Sequence, residues 1–112
     1  MVTKAGLPEY DLVDVRAAAN QLNLEFRGRK VRLDILNLDY KLKDVALCLA
    51  QLSESDYRKT ICYEERLPDD EYICNFIKPG NEELAPDKLY IKYCLIEGCL
   101  LIELASFHLC RF

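Results

Sequence analysis

Apolar residues recur at two different periods along this chain. Up to Leu52 they fall three and four apart, and from Tyr57 onward they alternate or run together. In PEYDLVDVRAAANQLN, Leu12, Val15, Ala19 and Leu22 fall on one helical face. Asp11 stands where an N-cap carboxylate accepts a first-turn amide. LEF predicts a short strand that ends at Gly28. Residues 29–37, RKVRLDILN, set Val31 and Ile35 four apart and predict a short amphipathic helix, although the same residues suit a strand. KDVALCLAQL, residues 43–52, predicts a further helix whose buried stripe is Val45, Cys48, Leu49 and Leu52.

The later segments YRKTICYEE, EYICNFIKP, KLYIKYCLI and CLLIELASF are β-branched, aromatic and alternating, so they predict strands. LPDD, PGNEELAPD and Glu97–Gly98 separate them. The last is a two-residue hairpin signal. Helices followed by an antiparallel meander predict an α+β domain, with the N-terminal helices packed on one sheet face. A hairpin closed at Glu97–Gly98 sets Ile96 opposite Cys99 and Lys92 opposite Glu103. That would be a cross-strand ion pair worth about 0.2–1 kcal/mol. The same count points His108 away from Tyr90 unless a bulge near Leu104–Ser106 brings it round. Strict alternation from Tyr57 puts Tyr57, Lys59 and Ile61 on one face and Arg58, Thr60 and Cys62 on the other.

At 112 residues the chain has the length of one domain, spanning 1–112. It has no apolar run near the roughly 20 residues of a membrane span. MVTKAGLPEY lacks the apolar stretch of a secretion signal, so a cytoplasmic protein is expected. The net charge of −4 argues against broad nonspecific binding to nucleic acid. A local basic site remains open. Arg27, Arg29, Lys30 and Arg32 read either as a solvated helix start or as a phosphate contact. Six cysteines without a CxxC pair, beside one histidine, read as buried free thiols rather than a zinc site. Phe107, Leu109 and Phe112 make the last strand apolar, to be tucked into the core or left as an edge for a partner strand.

LSESDYRKT, residues 52–60, carries a more specific signal. The segment resembles the Leu-Ser-Glu-Ser-Asp-aromatic-x-Lys motif of the MqsR family of bacterial toxins, mRNA interferases on a RelE-like fold. The likeness continues in order over roughly residues 8–108. EYDLVDVRAAA resembles the family's opening helix, and LDYKLKDVALCLAQL the helix before the motif. EYICNFIKP resembles its aromatic-rich strand ending in a basic residue and proline, KLYIKY its Val-Tyr-Leu-Lys strand, and SFH its closing Ser-Phe-Lys/His.

This resemblance implies a metal-independent endoribonuclease that needs no cofactor, cuts single-stranded mRNA and is held inactive by a cognate antitoxin. Carried over residue by residue, it makes Lys59, Tyr90 and His108 catalytic. Cys74, Lys78 and Lys92 fall in its strand segments and, with the cation Arg58 beside Lys59, are expected to contact RNA. The chain departs from the family pattern at Cys74, where the family has a glutamine, and a thiol does not offer the amide's donor and acceptor together. Its acidic balance is a second departure.

Metal-free cleavage uses the ribose 2′-OH as nucleophile and leaves a 2′,3′-cyclic phosphate. It requires a base, an acid and a cation near the phosphate. Lys59, Arg58 and Lys92 are the cations, Tyr90 a proton donor and His108 the group that titrates nearest neutrality. Of the adjacent pair, Lys59 is expected to face the site and Arg58 to lie on its rim. The alternatives are a non-catalytic domain of the same fold that binds an antitoxin or other protein, and an unrelated α+β protein with surface cations.

Overall fold

The structure is a computed structural model that describes residues 1–111. Three helices, α1 (Leu12–Asn20), α2 (Arg29–Asn37) and α3 (Leu42–Ala50), precede most of the sheet. The strands are β1 (Val2–Lys4), β2 (Leu24–Phe26), β3 (Tyr57–Cys62), β4 (Asp69–Phe76), β5 (Asp87–Ile96) and β6 (Leu101–Leu109). They form one sheet in the order β1-β3-β4-β5-β6-β2. All neighbours are antiparallel except β2, which runs parallel to β6. The α+β class and the helix-covered face are as the pattern predicts. The sheet is mixed rather than purely antiparallel, because β2 joins its edge beside the last strand. The exposed strand β1 joins the other edge, with Thr3 opposite Ile61.

Asp11 caps α1 by accepting from the Val13 amide at 2.9 Å. The buried face of that helix is Val15, Ala18 and Ala19. Leu22 is exposed, because the helix stops at Asn20 and Leu22 turns the chain with φ 58°. Gly28, with φ 83°, opens α2, which buries Val31 and Ile35. α3 buries the predicted stripe, with Leu52 just beyond its end. These side chains pack on Tyr72, Phe76, Leu89, Ile91, Tyr93, Ile102, Leu104 and Phe107 from the sheet. Burying each large apolar side chain contributes about 1.5–3 kcal/mol. No helix among the described residues is long and apolar enough to cross a membrane.

Two strand irregularities decide what the uncovered face presents. The β5–β6 hairpin closes through Glu97–Leu100, with Ile96 opposite Leu101, not through two residues. Glu97, Gly98 and Cys99 all have positive φ, and the Leu100 amide donates to Ile96 O at 3.2 Å. Glu103 is therefore opposite Cys94 rather than Lys92. The register then shifts. Tyr93 pairs with Leu104 and Lys92 with Ser106, which leaves Ala105 as the extra residue of a bulge. Below it, His108 stands opposite Tyr90.

The second shift lies in β3, where Tyr57 pairs with Tyr72 and Lys59 with Glu71, so Arg58 is the extra residue. Alternation restarts there. Tyr57 belongs to the helix side, packed edge-on against Tyr72 and hydrogen-bonded to Thr60 at 2.6 Å. It does not share a face with Lys59 and Ile61, because the bulge adds one residue to the period of two. At the other end of the sheet, β2 pairs with Ile102–Leu104 of β6. Phe107 is in the core and Leu109 is exposed, while Phe112 lies outside the described residues.

Candidate functional site

The face without helices carries a band of polar side chains. Lys59, Glu71, Lys92 and Ser106 stand in register across β3, β4, β5 and β6. In the next row Ile73, Tyr90 and His108 are in register. Cross-strand partners of an antiparallel sheet project to the same side, so the two rows form one surface.

Glu71 links them. It is only 7% exposed, and its carboxylate accepts the Tyr90 hydroxyl at 2.6 Å. Burial first, then this hydrogen bond, raises the Tyr90 pKa, so the phenol keeps its proton through the physiological range. The Tyr90 and His108 rings stack, with centroids 5.1 Å apart and planes 16° from parallel. His108 Nδ1 lies 2.9 Å from the Leu109 carbonyl oxygen. A carbonyl only accepts, so Nδ1 carries the hydrogen, and in neutral imidazole Nε2 is the free basic nitrogen. Lys59 and Lys92 flank Glu71, and neither forms an ion pair among the described residues.

Beside this band a charged network fixes the sheet. Asp69 is fully buried and binds the Arg27 guanidinium through two bonds, of 2.8 and 2.9 Å. It also accepts the Tyr63 hydroxyl at 2.8 Å. Arg27 Nε reaches Glu103 at 2.7 Å, and Arg66 approaches the same carboxylate at 3.6 Å. Burial opposes the ionisation of Asp69, but the hydrogen bonds from Arg27 and Tyr63 outweigh it and its pKa falls. Burial and the Asp69 carboxylate push the Tyr63 hydroxyl up to about 12. Burial, with Glu103 nearby, pushes the Cys94 thiol up to about 11.

The predicted residues divide accordingly. Lys59, Lys92, Tyr90 and His108 share the open face. Cys74 does not, because Tyr72, Cys74 and Phe76 are the members of β4 that face the helices. Its sulfur lies 3.8 Å from Cys48 Sγ. The alternation that sends Ile73 to the open face sends Cys74 to the core. Lys78 is also elsewhere. Its ammonium donates to the Asp39 carbonyl at 2.8 Å and sits over the Tyr40 ring, which ties the loop after β4 to the α2–α3 turn. Arg58 is exposed at its bulge. In the basic cluster, Arg27 is internal to the fold, Lys30 pairs with Asp34 at 2.6 Å and Arg32 lies over Phe26.

Glu71 and Asp69 escape a reading based on cations. The signal was present in the run Asp69-Asp70-Glu71 at the head of an otherwise apolar strand. Three carboxylates there require dedicated partners. Together the open face offers two half-buried cations, a held phenol, a carboxylate and an imidazole whose Nε2 is available as a base. Among the described residues, no group of three or more His, Cys, Asp or Glu is arranged to hold a metal ion. No known protein-family profile matches the chain, and none of the curated proteins matches its sequence.

Proposed function

We propose that the open sheet face is the active site of a RelE-like mRNA interferase, a cytoplasmic toxin that cuts single-stranded mRNA without a metal and is restrained by a cognate antitoxin protein. The observation that carries the reading is the bulge at Ala105, which sets His108 against Tyr90 on the face that also holds Lys59 and Lys92. In this reading His108 Nε2 takes the proton of the 2′-OH as it attacks the adjacent phosphorus. Tyr90, kept protonated by burial and by Glu71, supplies a proton to the leaving 5′ oxygen. Lys59 and Lys92 stabilise the charge that builds on the phosphate oxygens.

A second reading is a binding module of the same fold that pairs with an antitoxin or another protein without cutting RNA. The helix-side position of Cys74 favours it, because the face then lacks any amide at the glutamine position of the resembled family.

The deciding experiment is cleavage of a mixed-sequence single-stranded RNA by the purified chain in EDTA, beside Lys59→Ala. The interferase reading expects 2′,3′-cyclic phosphate ends, with cutting abolished in the variant. Two folded proteins that both leave the RNA intact would overturn it in favour of the binding module. Equal cutting by both would remove Lys59 from the site.

A further inference from the structure

Two of the six cysteines are in contact on the side of the sheet away from the band just described. Cys48 in α3 and Cys74 in β4 are both free and buried, with their sulfurs 3.8 Å apart. A disulfide requires about 2.05 Å, which leaves about 1.8 Å for side-chain rotation and a small approach of helix to strand to close. The two thiols are not equivalent. Cys74 is the more accessible, 8% exposed against 1% for Cys48, and a hydrogen bond from Cys48 favours its thiolate although burial and Asp56 oppose it. Both cysteines line a small cleft, with Gln51, Asp56, Asn75 and Phe76. An oxidant of the size of hydrogen peroxide is suited to such a cleft, and a folded protein thiol is not.

We propose that Cys48 and Cys74 form a peroxide-sensitive dithiol, a modification site that ties α3 to β4 when oxidised. The Cys74 thiolate attacks one peroxide oxygen, the O–O bond breaks, and the departing hydroxide takes a proton to become water. Cys74 is then a sulfenic acid. Cys48 loses its proton and attacks the Cys74 sulfur, the S–O bond breaks, and a second water leaves. Two thiols lose two electrons and two protons, and one peroxide is reduced to two waters.

The crosslink closes a loop that contains β3, and with it Lys59, so oxidation narrows the unfolded ensemble around that strand. The assignment is independent of any RNA cleavage. It stands or falls on the two sulfurs.

The test uses the reduced 112-residue chain with one equivalent of hydrogen peroxide, followed by non-reducing peptide mapping and thermal denaturation. The expected result is a Cys48–Cys74 linked peptide that has lost two hydrogens, a raised Tm, and reversal of both by dithiothreitol. Cys48→Ser is expected to leave a dimedone-reactive sulfenic acid on Cys74, because the resolving thiol is gone. Oxidation of the exposed Cys99 with Cys48 and Cys74 left reduced would overturn the proposal. So would linkage between any other pair, or dimedone labelling of Cys48→Ser away from Cys74.

Discussion

Asp69 and Asp70 are adjacent in β4, both fully buried, and they project to opposite faces of the sheet. On the helix side, Asp70 is satisfied by neutral donors. It accepts the Thr60 hydroxyl at 2.5 Å and the Glu9 and Tyr10 amides at 3.0 Å each. On the open side, Asp69 is satisfied by a guanidinium. The same contrast runs through the whole sheet. Apart from Asp70, the helix-covered face holds mainly aromatic and aliphatic side chains, while the open face holds opposed charges in register. That asymmetry decides where chemistry can reside. On the packed face the Asp70 carboxylate is fully engaged by its donors, whereas the open face keeps Lys59 and Lys92 beside Glu71 with neither in an ion pair among the described residues.

The sharpest way to break the contrast is to remove the guanidinium. Arg27→Met leaves the Asp69 carboxylate fully buried with only the Tyr63 hydroxyl as donor. Uncovering one partner of a buried pair costs about 3–5 kcal/mol. Urea denaturation should show a loss of that order. Asp69→Leu added to Arg27→Met should recover part of it, since a buried charge without a partner is worse than none. A loss below about 1 kcal/mol would mean that the network is not what fixes this edge of the sheet.

A smaller effect separates the two aspartates by pH. Burial is the main cause of the raised Asp70 pKa, only partly offset by Thr60 and the two backbone amides, whereas the Asp69 pKa is lowered. Each is referred to an ordinary value of 3.8. For Asp69, folding stability is present above that value and is lost as pH falls through its depressed folded pKa. For Asp70 the sign reverses. Its contribution is complete below the ordinary value and is lost as pH rises through the elevated folded pKa. Stability measured from pH 2 upward should therefore show Asp70→Asn removing a decline above 3.8, and Asp69→Asn removing a gain below it. The same slope change in both variants would contradict the assignment of partners.

These residues also mark how far the sequence could be read. The helices were legible because caps and stripes are local: Asp11, Val31 with Ile35, and Val45 with Leu49 each decide their element within a few positions. The four long strands were legible from composition. The registers were not. A bulge such as Arg58 or Ala105 adds one residue without leaving a hydrophobic signature, and it reverses the parity of everything beyond it. The Glu97–Gly98 turn reads as two residues because its third left-handed residue is Cys99, a type that seldom adopts positive φ. That extension and the Ala105 bulge together moved Lys92 from Glu103 to Ser106. The candidate site depends on those two shifts. Its residues could be named from the chain, but their meeting on one face could not be counted out by alternation. β1 was missed for another reason, since VTK is too short and too exposed to carry a pattern.

The smallest predicted stability change gives the most discriminating functional test. Tyr90→Phe deletes one hydroxyl and retains the ring that stacks on His108. Glu71 loses a hydrogen-bond donor but keeps Lys59 and Lys92 as cross-strand neighbours. The fold should therefore lose about 1–3 kcal/mol, the cost of leaving a buried acceptor without its donor. If Tyr90 donates the proton to the leaving oxygen, cleavage should fall by about 10²–10⁴-fold, far beyond what that stability loss produces in a folded protein. Chemical denaturation and single-turnover cleavage of the same preparation measure the two quantities together. A variant that cuts at the wild-type rate would make Tyr90 a packing residue on the open face and leave the proton transfer to His108 and Glu71.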